Sequence, residues 1–300
     1  MSINLHKIKK WTLMILGKSH YHVNQDEGKY YSIDKIEGYY NNLTEKITKF
    51  GLESEEVPMN QDDDGYKRFF SIAIFQYGLA AYDLWLSTKK TRYLNIFKNC
   101  VEWAMENQLD NGAWESFKRI SPDNPYSAMA QGEGISLLTR AFIQFKDDQF
   151  LKAAKKAYRF LLTDLRDNGV CVNNESNLLL YEFPNKPLIL NGWIFAAWGI
   201  LDYYKATKDE EALKNWEKTI RSIEKKLPEF DYGYWSKYNT KKNLTSPFYH
   251  KLHIAQLRVL YQLTQIETFK SYADKWEKQF KNPLNKSAAF MVKSIQKILE

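Results

Sequence analysis

The chain has 300 residues, of which 44% are hydrophobic and 15% aromatic, and its net charge is +7. This length can bury a substantial core in one large or two small domains, and no apolar run approaches the roughly 18 residues that a membrane span needs. The positive charge favours an anionic partner, but it is spread as single lysines, which argues against nucleic acid as that partner.

The N-terminal residues and the cysteines predict a cytoplasmic protein. A basic patch of Lys7, Lys9 and Lys10 precedes a six-residue apolar run, which is shorter than the core of a signal peptide. Cys100 and Cys171 lie far apart and show neither metal nor redox spacing. Such cysteine usage is typical of a reducing compartment.

The chain divides into an irregular beginning and a helical remainder. We predict that residues 1–60, which are rich in tyrosine, pack on a main domain formed by residues 61–300. Apolar residues at three- and four-residue spacing predict helices in the main domain, and Leu178–Tyr181 is the best candidate for a strand. The predicted helices cover residues 68–86, 91–107, 127–145, 148–164, 189–206, 209–226, 248–264, 267–281 and 286–299.

Asp-x-Gly turns separate the helical pairs. Gly112, Gly169 and Gly233 follow one another at intervals of 57 and 64 residues, about the length of two helices with their loops. Asp-x-Gly permits a tight turn with positive φ at the glycine. Repetition at this period predicts helical hairpins stacked around an axis. We therefore expect an all-α fold, an incomplete α/α toroid with few short strands and a cleft at one end; a plain helical solenoid is the alternative.

Small residues begin one of the predicted helices. Gly132 and Gly134 each cost about 1 kcal/mol relative to alanine inside a helix. Something must therefore approach this backbone closely, either a neighbouring helix or a ligand. Gln131, Glu133 and Tyr126 in the same stretch are candidates for lining a cleft.

A tyrosine and two histidines fall within one helical stretch near residue 250. Tyr249 and His253 stand four apart, so they project from the same side of the helix, and Gln256 is a further neighbour. A phenol near an imidazole can transfer protons, although such a pair can also serve only to cap a helix. His250 and His253 could bind zinc, but no third ligand stands at useful spacing, so no metal is predicted.

Four ordered motifs resemble the C-terminal catalytic domain of the D-glucuronyl 5-epimerases, the heparosan-glucuronate epimerase family. Phe75–Leu79 is the first match, and Ser127–Ser136 matches the family's S-A-M-A-Q-G-x-x-I-S stretch. Leu190–Gly192 matches its L-N-G turn, and Tyr249–Leu257 matches its Y-H-x-x-H-x-x-Q-L pattern.

The resemblance implies inversion of carbon 5 of D-glucuronic acid to L-iduronic acid within a glycosaminoglycan-like or capsular polysaccharide. That hydrogen is alpha to a carboxylate, so its removal leaves a carbanion beside an existing negative charge. The chemistry needs proton carriers on both faces of the sugar and groups that neutralise its carboxylate. The resemblance further implies a homodimer, and no cofactor is expected.

Carried over by position, the family's tyrosines are Tyr249 and, in the preceding loop, Tyr238. A tyrosine is a poor base near its ordinary pKa, so we expect a nearby cation or hydrogen-bond donor to favour phenolate, with a contribution from positive charge in the cleft. The family's loop arginine is replaced by Lys241, which keeps the charge but loses the bidentate fork. The expected substrate-binding residues are Lys241, His250, His253, Gln131, Glu133, Tyr126 and Asn191.

The largest departure from the family falls in its E-E-Y-P segment. Glu182 keeps one acid, but Phe183 stands at the tyrosine position and cannot transfer a proton. In an extended segment Tyr181 would point to the same face as Phe183, about 6.5 Å away. Tyr181 is therefore a candidate for the missing phenol, and we expect catalysis by Tyr249, Tyr238, Glu182 and Tyr181.

Other functions fit the same residues. A polysaccharide lyase would form the same carbanion but expel the sugar linked at carbon 4. A glycosidase would use two carboxylates, for which Glu115, Glu133 and Glu182 are candidates. A non-catalytic glycan-binding protein is a further alternative because of Phe183.

Overall fold

The computed structural model describes residues 22–49, 55–62 and 65–299, with side chains as far as residue 296. Within these residues no helix has the length and apolar content that crossing a bilayer requires. The N-terminal basic patch lies outside them. The helices are α1 (Glu45–Thr48), α2 (Ser71–Thr88), α3 (Thr91–Glu106), α4 (Ala128–Phe145), α5 (Asp148–Leu161), α6 (Leu190–Thr207), α7 (Glu210–Lys226), α8 (Pro247–Thr264), α9 (Glu267–Lys281) and α10 (Pro283–Leu299).

The predicted helices are confirmed, with ends that differ by at most three residues from those expected. The strand expected after residue 177 is also present, but its antiparallel partner and a second hairpin were not predicted, because three-residue strands carry too little alternation to be recognised. The strands are β1 (Met59–Gln61), β2 (Lys67–Phe69), β3 (Cys171–Asn173) and β4 (Leu178–Leu180), which pair as β1–β2 and β3–β4.

Four helical hairpins, α2–α3, α4–α5, α6–α7 and α8–α9, build the main domain. The first helix of each hairpin is buried over most of its length and packs on the next such helix, whereas the second is amphipathic and lies outside. Each inner helix has 18 residues and ends at a left-handed residue: Lys89, Lys146, Lys208 and Gln265. The expected incomplete α/α toroid is confirmed.

The small residues of α4 are explained by neighbouring helices. A Cβ at Gly132 would overlap the Cα of Ala196 in α6, and a Cβ at Gly199 would overlap the backbone of Gly132. Gly134 leaves room for the ring of Trp114. Close packing of α4 on α6 therefore explains Gly132, as expected for a neighbouring helix, whereas Gly134 is explained by the loop residue Trp114.

The glycine turns follow the prediction at two of three places. Gly112 has φ of +90° and Gly233 has φ of +91°. In the turn between them the left-handed residue is Asn168, with φ of +59°, rather than Gly169. Asparagine tolerates this conformation because its side chain can hydrogen-bond locally. A Cβ at Gly169 would instead overlap the carbonyl of Thr163, which explains the glycine there.

Residues 22–49, hereafter the closing segment, fill the space between the last inner helix, α8, and the first, α2. The Tyr31 hydroxyl donates to Gln262 on α8, and the Tyr40 hydroxyl donates to Asp202 on α6 at 2.8 Å. The short helix α1 packs on α2. The domain boundary that we placed at residue 60 stays a prediction.

An interior ion pair holds the closing segment in place. Arg140 on α4 donates to Asp202 on α6 at 2.6 Å, and both side chains are buried. The same guanidinium donates to the carbonyl oxygens of Glu37 and Gly38 at 3.0 and 2.9 Å. Because a buried guanidinium must be fully hydrogen-bonded, the path of the segment is fixed at this point.

Candidate functional site

The inner helices all begin at the same end of the ring, because successive hairpins return the chain to that end. The longer loops and both strand pairs also lie there. Side chains from these loops and from the first turns of the inner helices converge on one interior. We call Glu133, Glu182, Tyr238 and Tyr249 the interior site, since each acts electrostatically on at least one of the others.

Two phenols meet in the interior site. The rings of Tyr238 and Tyr249 are 4.9 Å apart at an angle of 64°, their hydroxyls are hydrogen-bonded, and both side chains keep some exposure. The backbone of Leu190 donates to the Tyr238 carbonyl at 3.4 Å, which ties this loop to α6. Burial and the charge of Glu182 raise the pKa of both phenols. The hydrogen bond with Tyr238 acts to lower the pKa of Tyr249, but burial and Glu182 outweigh it. The expectation that a cation or hydrogen-bond donor would favour phenolate is therefore wrong: the phenols keep their protons at neutral pH.

Glu182 is the titratable acid beside these phenols. Its side chain is 8% exposed and lies against Gly192, where a Cβ would overlap the carboxylate. Its Oε2 has no hydrogen-bond partner among the described residues. Burial raises the pKa of this carboxyl to about 7. A carboxyl with such a pKa can act as a general base at neutral pH.

Glu133 is a second acid in the same interior and is fully buried on α4. Its Oε1 accepts a hydrogen bond from Gln76 at 2.7 Å, whereas Oε2 has no partner in the described part of the chain. Burial raises its pKa well above the ordinary value, and the charges of Lys46 and Glu182 act on it in opposite directions. The sequence analysis included Gln76 in the Phe75–Leu79 motif but predicted no role for it, and it did not single out Lys46.

Further buried polar atoms lie at the start of α6 and on α8. The Gln256 amide donates to the Asn191 carbonyl at 3.2 Å, but the side-chain oxygens of both residues have no partner in the described structure. The same holds for both ring nitrogens of His253, whose pKa is lowered to about 3 by burial. Buried polar atoms are nearly always hydrogen-bonded, so this set fits a polar ligand.

Two expected substrate-binding residues are used within the fold. His250 is fully buried; its Nδ1 lies 2.8 Å from the Ser236 hydroxyl and its Nε2 lies 2.9 Å from the Trp276 carbonyl. Gln131 is also fully buried and accepts a hydrogen bond from the Trp114 backbone at 3.1 Å. Both side chains hold loops on the inner helices, so neither is available to a substrate in this arrangement.

Two aromatic residues of the sequence argument lie apart from the phenol pair. Phe183 stacks on Phe117 with 3.8 Å between ring centroids. Tyr126 packs edge-on against Phe160 at 4.7 Å. Neither ring contacts Tyr238 or Tyr249.

Tyr181 and Lys241 line a different feature, a groove of about 570 Å³ outside the loop that carries Glu182. Lys186 and Lys226 also line it, and we call it the lysine groove. Consecutive residues of an extended chain point to opposite sides, so Tyr181 faces this groove whereas Glu182 faces the interior. The structure thus does not bring Tyr181 to the phenol pair, and its catalytic role stays a prediction.

Comparison with known proteins places these features in a family context. Residues 114–278 match the family described as the D-glucuronyl C5-epimerase C-terminus. The chain is 29% identical over 220 residues to a D-glucuronyl C5-epimerase of Caenorhabditis elegans, covering 64% of this chain and 36% of that protein. It is also 29% identical over 155 residues to an uncharacterized protein of Methanocaldococcus jannaschii, covering 50% of each. The chain thus spans half or less of these relatives' lengths.

Solved structures share the fold at low identity. An unsaturated glucuronyl hydrolase from Streptococcus agalactiae has a TM-score of 0.51 and 12% identity, covering 70% of this chain and 58% of its own. A cellobiose 2-epimerase from Spirochaeta thermophila has a TM-score of 0.51 and 11% identity, covering 73% and 60%. An alpha-1,6-mannanase from Salegentibacter has a TM-score of 0.50 and 13% identity, covering 90% and 83%. At these identities the similarity concerns the fold.

Proposed function

This chain belongs to the D-glucuronyl C5-epimerase C-terminus family, and from that premise we propose that it is a carbohydrate epimerase acting on a uronic acid. The proposed reaction inverts carbon 5 of D-glucuronic acid to L-iduronic acid within a polysaccharide. The proposed substrate is an anionic, uronic-acid-containing polymer of glycosaminoglycan or capsular type. The homodimer implied by the family resemblance stays a prediction.

The observation that carries this proposal is a carboxyl that titrates near pH 7 beside two hydrogen-bonded phenols. Glu182 acts electrostatically on both Tyr238 and Tyr249. Its raised pKa makes it a base of suitable strength, while the raised pKa values of the phenols suit them to donate protons. An acid and a base with pKa values pushed apart are what proton transfer at carbon 5 requires.

We assign the proton transfers accordingly. The Glu182 carboxylate takes the proton from carbon 5, and the electron pair of that bond moves into the uronate carboxylate as an enolate. A phenol of the Tyr238–Tyr249 pair then donates its proton to the opposite face of carbon 5, which restores the carboxylate with inverted configuration. Glu182 releases its proton and the phenolate regains one, so hydrogen from solvent enters at carbon 5.

The lysine groove supports a polymer rather than a free sugar as the substrate. It lies directly beside the loop that carries Glu182, and its lysines face solvent at Lys186 and Lys241. Neighbouring uronates of a polymer could bind there while one residue enters the interior site. The groove thus offers a binding surface for the parts of the substrate that do not react.

Incubation of heparosan oligosaccharides with the protein in deuterated water tests the proposal. We expect iduronate signals in the NMR spectrum and deuterium at carbon 5. An unsaturated uronate that absorbs in the ultraviolet would identify a lyase instead, and new reducing ends would identify a glycosidase. Binding without any deuterium incorporation would leave a glycan-binding protein and overturn the proposed reaction.

A further inference from the structure

We propose that His22 of the closing segment is a positioning residue for the Tyr249 phenol, so that a segment outside the family match completes the interior site. The inference rests on the proposed function, because it concerns how one of the proposed proton donors is held. His22 lies outside residues 114–278, which match the family.

The ring of His22 contacts the start of α8. Its centroid lies 5.1 Å from that of Phe248 and 5.9 Å from that of Tyr249, and the interplanar angle is 78° in both pairs. Phe248 and Tyr249 are themselves 4.9 Å apart and edge-on. His22 is only partly exposed. The imidazole and these two rings thus form one aromatic cluster beside the phenol pair.

Tyr249 needs support from outside its helix because of its place in the sequence. It is the third residue of α8, after the N-cap Ser246. Helical side chains lean toward the N-terminus of their helix, over the turn that precedes their own Cα. The chain before α8 is a loop, so no helical turn lies beneath the Tyr249 ring. The ring therefore takes contacts from other elements: Tyr238 of that loop at 4.9 Å, and His22.

Lys251 anchors the closing segment just after His22. Its ammonium group donates to the side-chain oxygen of Asn24 at 3.0 Å and lies 3.7 Å from the Asp26 carboxylate. Lys251 stands three residues after Phe248, so both side chains project from the same face of α8. The segment is thus fastened beside the turn against which the imidazole packs.

Further contacts continue along the same face of α8. Glu27 pairs with Arg258 at 3.3 Å, and the Tyr31 hydroxyl donates to Gln262. Positions 248, 251, 258 and 262 follow one another at intervals of 3, 7 and 4 residues, which places them in one stripe along the helix. The closing segment therefore follows α8 from its first turn to its last, and His22 is the end that reaches the phenols.

The orientation of the Tyr249 ring matters for the proposed proton transfer. Its hydroxyl must lie within hydrogen-bonding reach of carbon 5, and misplacing a reacting group by about 1 Å can cost about 10²-fold in rate. Edge-on packing of the imidazole restricts this ring, which is otherwise partly exposed. The contribution of His22 is therefore a flat ring at this place rather than a proton.

The kinetics of deuterium exchange at carbon 5 test the inference. His22→Ala removes the ring and should lower kcat about tenfold, while KM stays within about twofold because the binding surfaces are unchanged. His22→Phe keeps a ring in the contact and should restore most of the wild-type kcat. Tyr30→Ala, which removes a ring that is 40% exposed from the same segment, is the matched control and should keep wild-type kinetics. Wild-type kcat in His22→Ala would overturn the inference. An equal loss in His22→Phe would overturn it as well, since the imidazole itself would then be required.

NMR of the substrate-free protein tests the same contact without any reaction. Tyrosine labelled with carbon-13 in its ring gives a resonance for Tyr249, which is assigned by its loss in Tyr249→Phe. We expect one sharp Tyr249 signal in the wild-type protein and in His22→Phe. In His22→Ala the signal should broaden or divide, because the ring takes more than one orientation. A signal that stays single and sharp in His22→Ala would contradict the positioning role.

The two measurements separate this inference from the proposed reaction. Should the wild-type protein exchange no hydrogen at carbon 5, the reaction is refuted, and the NMR signal still decides whether His22 holds the Tyr249 ring. Should exchange occur while His22→Ala keeps both its kcat and a sharp Tyr249 signal, the reaction stands and the inference is refuted.

Discussion

The interior site and the lysine groove lie on opposite sides of one loop and differ in almost every physical respect. The two acids of the interior are buried and have raised pKa values, and each has one oxygen without a hydrogen-bond partner among the described residues. The groove is open, and its lysines are exposed or half-buried, with Lys226 paired to Glu229 at 2.8 Å. Burial raises the pKa values of the acids in the interior site. The exposed lysines of the groove instead attract anions through an interaction that salt can screen. Under the proposed function, the reaction takes place in the interior site and the polymer binds in the lysine groove.

Glu182→Gln should cause the largest change and should be confined to the interior site. Loss of the base should reduce hydrogen exchange at carbon 5 by roughly 10³-fold, within the range usual for general base catalysis. Because the carboxylate is the active form, the wild-type rate should rise with pH and level off above about 7, the pKa to which burial raises this group.

The measurement is kcat/KM for deuterium exchange between pH 5 and 8. Glu217→Gln, an exposed residue of the outer helix α7, is the matched control and should keep both the rate and its pH profile. A Glu182→Gln protein with more than a tenth of wild-type exchange would show that the base is another residue.

Tyr249→Phe should lower exchange by about 10²-fold or more, since it removes one phenol while keeping the ring. The hydrogen bond with Tyr238 is lost, and Tyr238 alone must then supply the proton. Calorimetric affinity for the oligosaccharide should stay within threefold of wild type.

Tyr261→Phe on the same helix serves as the control for this change. Tyr261 lies at the far end of α8, where its hydroxyl donates to Glu267. Hydrogen exchange by this variant should therefore stay within twofold of wild type. Equal losses in both variants would indicate a general effect on α8 rather than a role for the phenol.

Replacing the three groove lysines by glutamine should raise KM about tenfold at low ionic strength while kcat changes little. The difference should shrink in 0.5 M salt, because exposed charges are screened. A change in kcat with constant KM would mean that the two regions are not separate. The control replaces three lysines on the outer helix α9: Lys270, Lys278 and Lys281.

Phe183→Tyr should have the smallest effect, within threefold of wild-type exchange. The ring at this position stacks on Phe117 and does not contact the phenol pair. An increase above tenfold would show that the family's tyrosine position can deliver a proton from here, and the assignment of Glu182 and the phenol pair would need revision.

The helices and the meeting of Tyr238, Tyr249 and Glu182 in one interior could be anticipated from periodicity and from the motifs. The pKa shifts of these three side chains could not be anticipated, because burial depends on how the whole fold packs. A cation was expected beside the phenols, but the charged group that acts on them is the acid Glu182. His250 and His253 show the same limit: they belong to one motif, yet the ring of the first is hydrogen-bonded within the fold, whereas the ring of the second has no partner in the part of the chain that the structure describes. The sequence did not point to Lys46, because a single lysine in an irregular segment belongs to no motif or periodic pattern.

The closing segment has a consequence for how the protein reaches its native state. Glu27 near its beginning pairs with Arg258, which follows 231 residues later. The closing segment must therefore wait until α8 has been synthesised before it can dock fully. Contacts so distant in sequence slow folding. A newly made chain should thus pass through a state in which all four hairpins are formed, the ring is open and the acids of its interior are still wet.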